Sequence, residues 1–311
     1  MARKPRIHYP GAVYHVILRG NAGDPVFFDN RDRYRFYLIL QYVVEKFRCR
    51  IHGFCLMTNH IHLITQTADI PLSRIMQNLS LRYTKWINYT QNRTGHLFQG
   101  RYKAILLDAD AYLLELVRYV HLNPVRARAA VSVDGWPWSG HRAYAGGETI
   151  PWLCTEWVLG IFGADMAKAR SAYVAFVNDG VSEGRRGEFH SGTCDGRLLG
   201  DDSFVDAALG KASEKRLRTT IDEVLDAVCR AFHCSVQDLQ APGKERPFTE
   251  ARAAASLLVQ ERPHLSLTEL GRALNRDTSP LGRVGRRLLK ESTRDDRLGE
   301  LVARIREELQ E

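Results

Sequence analysis

What this chain lacks sets its first limits. Its six cysteines, Cys49, Cys55, Cys154, Cys194, Cys229 and Cys234, contain no Cys-x-x-Cys pair. Cys229, His233 and Cys234 lie close in sequence but have no second pair to complete a structural zinc site. All six therefore read as reduced thiols. No apolar run approaches membrane-spanning length. The basic start leads into Val13-Tyr14-His15-Val16-Ile17-Leu18, a strand pattern where a signal peptide would have its apolar core. Together these absences give the expectation of a cytoplasmic protein with no membrane partner.

What is present suits a polyanion. The 311 residues, 44% hydrophobic and 26% charged, are enough for two domains with their own cores. Net charge is +8 and the isoelectric point about 9.2, which favours an acidic partner. Placement says more than the total. Arg3, Lys4 and Arg6 open the chain. Arg82, Lys85, Arg93, Arg101 and Lys103 are interleaved with Tyr83, Trp86, Tyr89, Phe98 and Tyr102. Such alternation fits a surface that follows phosphates and stacks bases, or else a solvated helix face over an aromatic core.

The chemistry concentrates in two places. His60-Ile61-His62 lies in a strand pattern, so the imidazoles share one face and Ile61 takes the other. Two imidazoles on one face can hold a divalent metal. About sixty residues later, Tyr119 and Asn123 stand at i and i+4 in a helical run and share a face. A phenol and an amide oxygen brought over such a metal have the parts to cut a nucleic-acid strand through a phosphotyrosine bond. No cluster of carboxylates accompanies the histidines, which disfavours a hydrolase using a metal-activated water. Glu115, one turn before Tyr119, reads as surface charge. His15, His96 and His121 read as structural, and Tyr112 is the reserve nucleophile.

These motifs carry a resemblance. Gly11-Ala12-Val13-Tyr14-His15-Val16 with Arg19-Gly20-Asn21, Met57-Thr58-Asn59-His60-Ile61-His62-Leu63, Gly95-His96-Leu97-Phe98-Gln99-Gly100-Arg101-Tyr102, and Tyr119-Val120-His121-Leu122-Asn123-Pro124-Val125-Arg126-Ala127 occur in this order, followed by Trp138-Ser139 and Arg142-Ala143-Tyr144. Positions 9 to 145 thus resemble the single-tyrosine HUH endonucleases, in particular the REP-associated tyrosine transposases. The resemblance implies an antiparallel sheet with helices, of the ferredoxin or RRM type. It implies His60, His62 and Asn123 as ligands of Mg²⁺ or Mn²⁺, and Tyr119 as the nucleophile. The products would be a 5′-phosphotyrosine and a free 3′-hydroxyl. The implied partner is single-stranded or hairpin DNA, and the implied protein a nucleoid-associated monomer or homodimer. Arg101 and Arg126 are expected phosphate contacts.

Along the chain, the expected organisation is a nuclease domain over 1–145, in which Phe98 to Leu107 reads as a strand and Asp108-Ala109-Asp110 caps the tyrosine helix, then a linker with short helices over 146–218, a helical domain over 219–295 and a helical tail over 296–311. Turn-rich, charged stretches such as Ser182-Glu183-Gly184-Arg185-Arg186-Gly187 suggest a flexible connector with a helix near Ala167 to Val177. The third region reads as all-α: Thr220 caps one helix, Thr249 to Val259 forms another, and Ser266 to Leu274 with Arg276 to Leu289 forms helix, turn, helix. It resembles the C-terminal helix-turn-helix of the bacterial replication initiator DnaA. Asp277-Thr278-Ser279-Pro280 stands where that family has the Asp-His-Ser-Thr element with which it reads bases, so the resemblance does not imply that family's sequence specificity here. Arg283, Arg286, Arg287 and Lys290 are expected to hold phosphates. The leading function is a metal-dependent single-strand DNA endonuclease and strand transferase, and the alternative is a catalytically inactive DNA-binding regulator.

Overall fold

A computed structural model describes residues 7–214, 219–243, 245–262, 265–291 and 296–309. The chain divides into two compact units, Met1–Glu214 and Lys215–Glu311.

The first unit is mixed α and β. Strands β1 (Val13–Arg19), β2 (Arg50–Leu56), β3 (His60–Gln66) and β4 (Lys103–Leu107) alternate with helices α1 (Asn30–Phe47) and α2 (Leu72–Thr90). Helix α3 (Ala109–His121) and the short α4 (Asn123–Arg126) follow. The helix starts have local causes. At α1 the Asp29 side chain accepts from the Asp32 backbone N–H while Asp32 returns the bond, a complete capping box. At α3 Asp108 caps Asp110. Pro124 falls in the first turn of α4, where its missing N–H costs nothing.

With a short fifth strand, β5 (Leu198–Leu199), the sheet runs β2-β3-β1-β4-β5, antiparallel except for the last pair. Directly opposed residues share a face, so the pairings Ile17 with His62, His15 with Ile64, Arg19 with His60 and Ile17 with Lys103 put these side chains on one side. Helix α3 covers that side. A Cβ added at Gly53 would lie 2.9 Å from Ile64 Cδ1 and 3.6 Å from Val117, so glycine there lets α3 approach closely. Helix α1 covers the other side, where Tyr37 meets Phe54 edge-to-face.

Three expectations need correction. The stretch beginning at residue 146 is no flexible connector: through Glu214 it belongs to the first unit. After α5 (His141–Ala145) it forms α6 (Glu156–Gly160), α7 (Met166–Asp179), α8 (Glu188–Ser191), β5 (Leu198–Leu199) and α9 (Asp202–Glu214). Tyr173, Val177 and Phe189 are fully buried in the common core, and β5 adds a parallel edge strand beside β4. Polar turns concealed a few apolar residues, each buried only by tertiary contact. Secondly, the strand read from Phe98 begins at Lys103; Phe98 makes an isolated bridge to Gly20, and Gly100, at φ +64°, breaks the extended run.

The third correction concerns the tail. The second unit contains α10 (Ile221–Phe232), α11 (Val236–Gln240), α12 (Arg246–Glu261), α13 (Leu267–Ala273), α14 (Thr278–Glu291) and α15 (Asp296–Glu308). Leu298, Val302 and Ile305 of α15 recur at helical spacing and are buried in this unit's core, so the last helix is part of the domain. The tight turn before α14 uses Asn275 at φ +50° and a close approach of Gly271 to the Arg276 carbonyl.

Candidate active site

His60 and His62 project from β3 toward α3 and α4, as alternation required. Asn123 lies between them: its Oδ1 is 3.2 Å from His60 Nε2 and its Nδ2 is 3.3 Å from His62 Nε2. Asn123 is 9% exposed and His62 1%.

The hydrogen-bond network assigns the tautomers. His15 Nδ1 can only donate to the Phe189 carbonyl, at 2.9 Å. Its Nε2 is then an acceptor, so His62 Nδ1 donates to it, also at 2.9 Å. That leaves a lone pair on His62 Nε2. His60 Nδ1 donates to Asn59 Oδ1 at 2.8 Å, leaving a lone pair on His60 Nε2 as well. Two nitrogen lone pairs therefore face one amide. Whichever way the amide is turned, its oxygen meets a lone pair with no proton between them. Adjacent ligands on an octahedral cation with bonds of about 2.1 Å sit about 3 Å apart, close to the separations here. The donor set thus fits a divalent cation. It is His₂Asn: among the described residues no group of three or more His, Cys, Asp or Glu is placed to hold a metal.

The imidazoles are held neutral, as ligation needs. Burial drives His62 well below the usual histidine range and His15 down to about 3; it also lowers His60. Arg19 and Lys103 reinforce this, since both are cations on the same sheet face.

Tyr119 stands one turn before Asn123 and is 4% exposed. Its hydroxyl lies 2.7 Å from His190 Nε2. Its ring packs 5.0 Å from Phe189 and carries the Arg126 guanidinium at 4.1 Å. Arg126 Nη1 donates to the Tyr119 carbonyl, and its Nε has no hydrogen-bond partner among the described residues. Burial raises the Tyr119 pKa, opposed by the charges of Arg126 and Arg185. The surroundings are cationic, which suits a phosphate.

Of the expected site residues, the structure brings together His60, His62, Asn123 and Tyr119, with Lys103 and Arg126 beside them. Arg82 and Lys85 are not part of this group. They are exposed on α2; Arg82 stacks 4.0 Å over Tyr42 of α1 and hydrogen-bonds its hydroxyl. Arg101 is exposed just before β4. Arg3, Lys4 and Arg6 lie outside the described residues. Tyr112 packs partly buried against the core. Glu115 is engaged by Arg118 and Arg186.

Sequence reasoning missed His190, Phe189 and Arg185, which come from the segment read as linker. His15 is a hydrogen-bonded sheet histidine, as read from the sequence, and one of its bonds goes to a candidate ligand. No local motif marks Arg185, Phe189 or His190; β5 beside β4 and the ion pairs of the segment bring them to Tyr119.

In the second unit, α13 and α14 form the helix-turn-helix pair. Arg283 and Arg287 are exposed on α14, and the side chains of Arg286 and Lys290 lie outside the described set. Glycine at 285 allows close packing of α14 on α12, since a Cβ there would come within 3.0 Å of the Leu257 nitrogen.

Comparison with known proteins agrees with both halves of the sequence reading. Residues 9–123 match the family model of IS200-like transposases. Residues 221–281 match that of the bacterial DnaA protein helix-turn-helix. A solved structure of the REP-associated tyrosine transposase bound to a REP hairpin aligns at 18% identity, over 50% of this chain and 92% of that one, with a TM-score of 0.41.

Proposed function

We propose, from the premise of an IS200-like transposase domain joined to a DnaA-type helix-turn-helix, that this protein cuts and rejoins single-stranded hairpin DNA through a covalent tyrosine link. The supporting observation is the placement of Asn123 within 3.3 Å of both His60 Nε2 and His62 Nε2, one helical turn from Tyr119. The hairpin substrate follows from the resemblance to the REP-associated transposases.

Tyr119 Oη attacks the phosphorus, a bond from phosphorus to tyrosine oxygen forms, and the bond to the 3′ oxygen breaks. The products are a 5′-phosphotyrosine and a 3′-hydroxyl. Phosphodiester energy is retained, so a strand hydroxyl can reverse the step without a nucleotide cofactor. His60, His62 and Asn123 would hold Mg²⁺ or Mn²⁺, which when bound withdraws charge from a non-bridging phosphate oxygen. Arg126 and Lys103 place positive charge beside the reacting group. The donor set has no carboxylate, so cation affinity is expected to be low until DNA oxygens complete the shell.

The second reading, an inactive DNA-binding regulator, draws on the near-complete burial of Tyr119. The test separates them. Labelled single-stranded hairpins from DNA flanking the gene are incubated with the protein and Mn²⁺ or Mg²⁺, then run on a denaturing gel. A protein-linked label that is lost completely in Tyr119→Phe, with hairpin binding retained, is the expected result. Binding without any adduct would favour the regulator, and a nicked strand without adduct would favour a hydrolase.

A further inference from the structure

We propose that His190 is a catalytic residue: it takes the proton of Tyr119 during attack and returns it during rejoining. This rests on the strand-transfer reading above.

A phenol is a weak nucleophile near neutral pH, so its attack gains from a positioned proton acceptor. His190 Nε2 lies 2.7 Å from Tyr119 Oη, within reach for direct transfer. The other candidates near the tyrosine are occupied or unsuited. His15 uses both ring nitrogens, on Phe189 and His62. Glu115 is paired with Arg118 and Arg186. Arg126 has no acceptor site.

The position of His190 is fixed from several sides. Arg118 of α3 binds Glu183, and Arg186 binds both Glu115 of α3 and Glu188. These pairs clamp the segment leading into α8 onto the tyrosine helix. Phe189, fully buried, packs on the Tyr119 ring and accepts from His15. One turn of chain therefore sets the tautomer of the His15–His62 pair and delivers an imidazole to the nucleophile. This turn lies well beyond residue 123, where the transposase match ends.

In the forward step the Tyr119 oxygen bonds to phosphorus, the phenolic proton moves to His190 Nε2, and the departing 3′ oxygen takes a proton from water. In the reverse step the attacking 3′-hydroxyl gives its proton to water. The leaving Tyr119 oxygen recovers its own from His190.

The test measures the rate of adduct formation on labelled hairpin oligonucleotides with Mn²⁺, for the full chain. His190→Gln, which keeps a polar side chain but cannot carry the proton, and His190→Ala should each slow it by about 10²-fold or more, with hairpin binding and thermal unfolding unchanged. Replacing Tyr119 by a fluorinated tyrosine of lower pKa should remove most of that deficit, which a merely structural role would not allow. Wild-type rates in both variants would overturn the assignment, as would a deficit unmoved by fluorination. Faster adduct formation in His190→Ala would also overturn it, by showing that the segment blocks Tyr119. Failure of the wild-type protein to form any adduct would instead overturn the strand-transfer reading, and this assignment with it.

Discussion

The two units present their chemistry in opposite ways. In the first, His62, Asn123 and Tyr119 are almost wholly buried and each is fixed by named partners. In the second, Arg283 and Arg287 are exposed along α14. The difference suits the roles proposed for each kind of group. Ligands and nucleophiles need fixed tautomers and directions, which only a packed environment imposes. Cations that meet a phosphate backbone act over several ångströms and tolerate flexible side chains. A substitution in the first unit should therefore change chemistry abruptly, and one in the second should change affinity by degrees.

The sharpest break of this comparison is His62→Ala, expected to abolish cleavage while leaving hairpin binding; unchanged cleavage after treatment with a chelator would refute the metal role.

Next in size is an effect of pH on stability. His15, His62 and His121 are buried, and burial lowers the pKa of each in the folded state. The unfolded chain binds protons first as pH falls, so the contribution is whole above the ordinary histidine pKa and is lost below it. The loss is about 1.4 kcal/mol per pH unit for each group, continuing for His15 down to its folded value of about 3. All five tryptophans (Trp86, Trp136, Trp138, Trp152 and Trp157) lie in the first unit. Denaturation followed by tryptophan fluorescence at pH 7.5 and 5.5 should show the drop. A midpoint that does not move would contradict the neutral, buried state.

His15→Phe should then weaken Mn²⁺ binding by about 10- to 100-fold, because His62 loses the acceptor that orients it. Calorimetric titration with Mn²⁺ checks this, and an unchanged affinity would return His15 to a purely structural role. The smallest effects belong to α14. Arg283→Ala and Arg287→Ala should each lower duplex affinity modestly and reduce the salt slope by about one. A complete loss of binding from either would mean that the second unit reads bases instead of following phosphates.

Much of the first unit was legible in the sequence. His60-Ile61-His62 could only share a face as a strand, and β3 has that form. Asp108 announced the start of the tyrosine helix and caps it. The helix-turn-helix was legible in the run from Ser266 to Leu289, and the structure adds that Ser266 caps its first helix in a capping box with Glu269. Residues 146–214 were not legible. Gly184, Arg185 and Gly187 have the composition of a turn, and nothing local distinguishes a mobile turn from one held by ion pairs to Glu115 and Arg118. The same applies to α15, whose charged surface hid Leu298, Val302 and Ile305.

By itself, the sequence determined the periodic elements, the shared face of the two histidines and the one-turn spacing of Tyr119 and Asn123, because strand and helix geometry act over a few residues. Only the tertiary structure decided which groups complete that site. Phe189 reaches His15, and His190 reaches Tyr119, across 174 and 71 residues of chain. Contacts at such separations are set by packing and charge pairing, for which local spacing carries no signal.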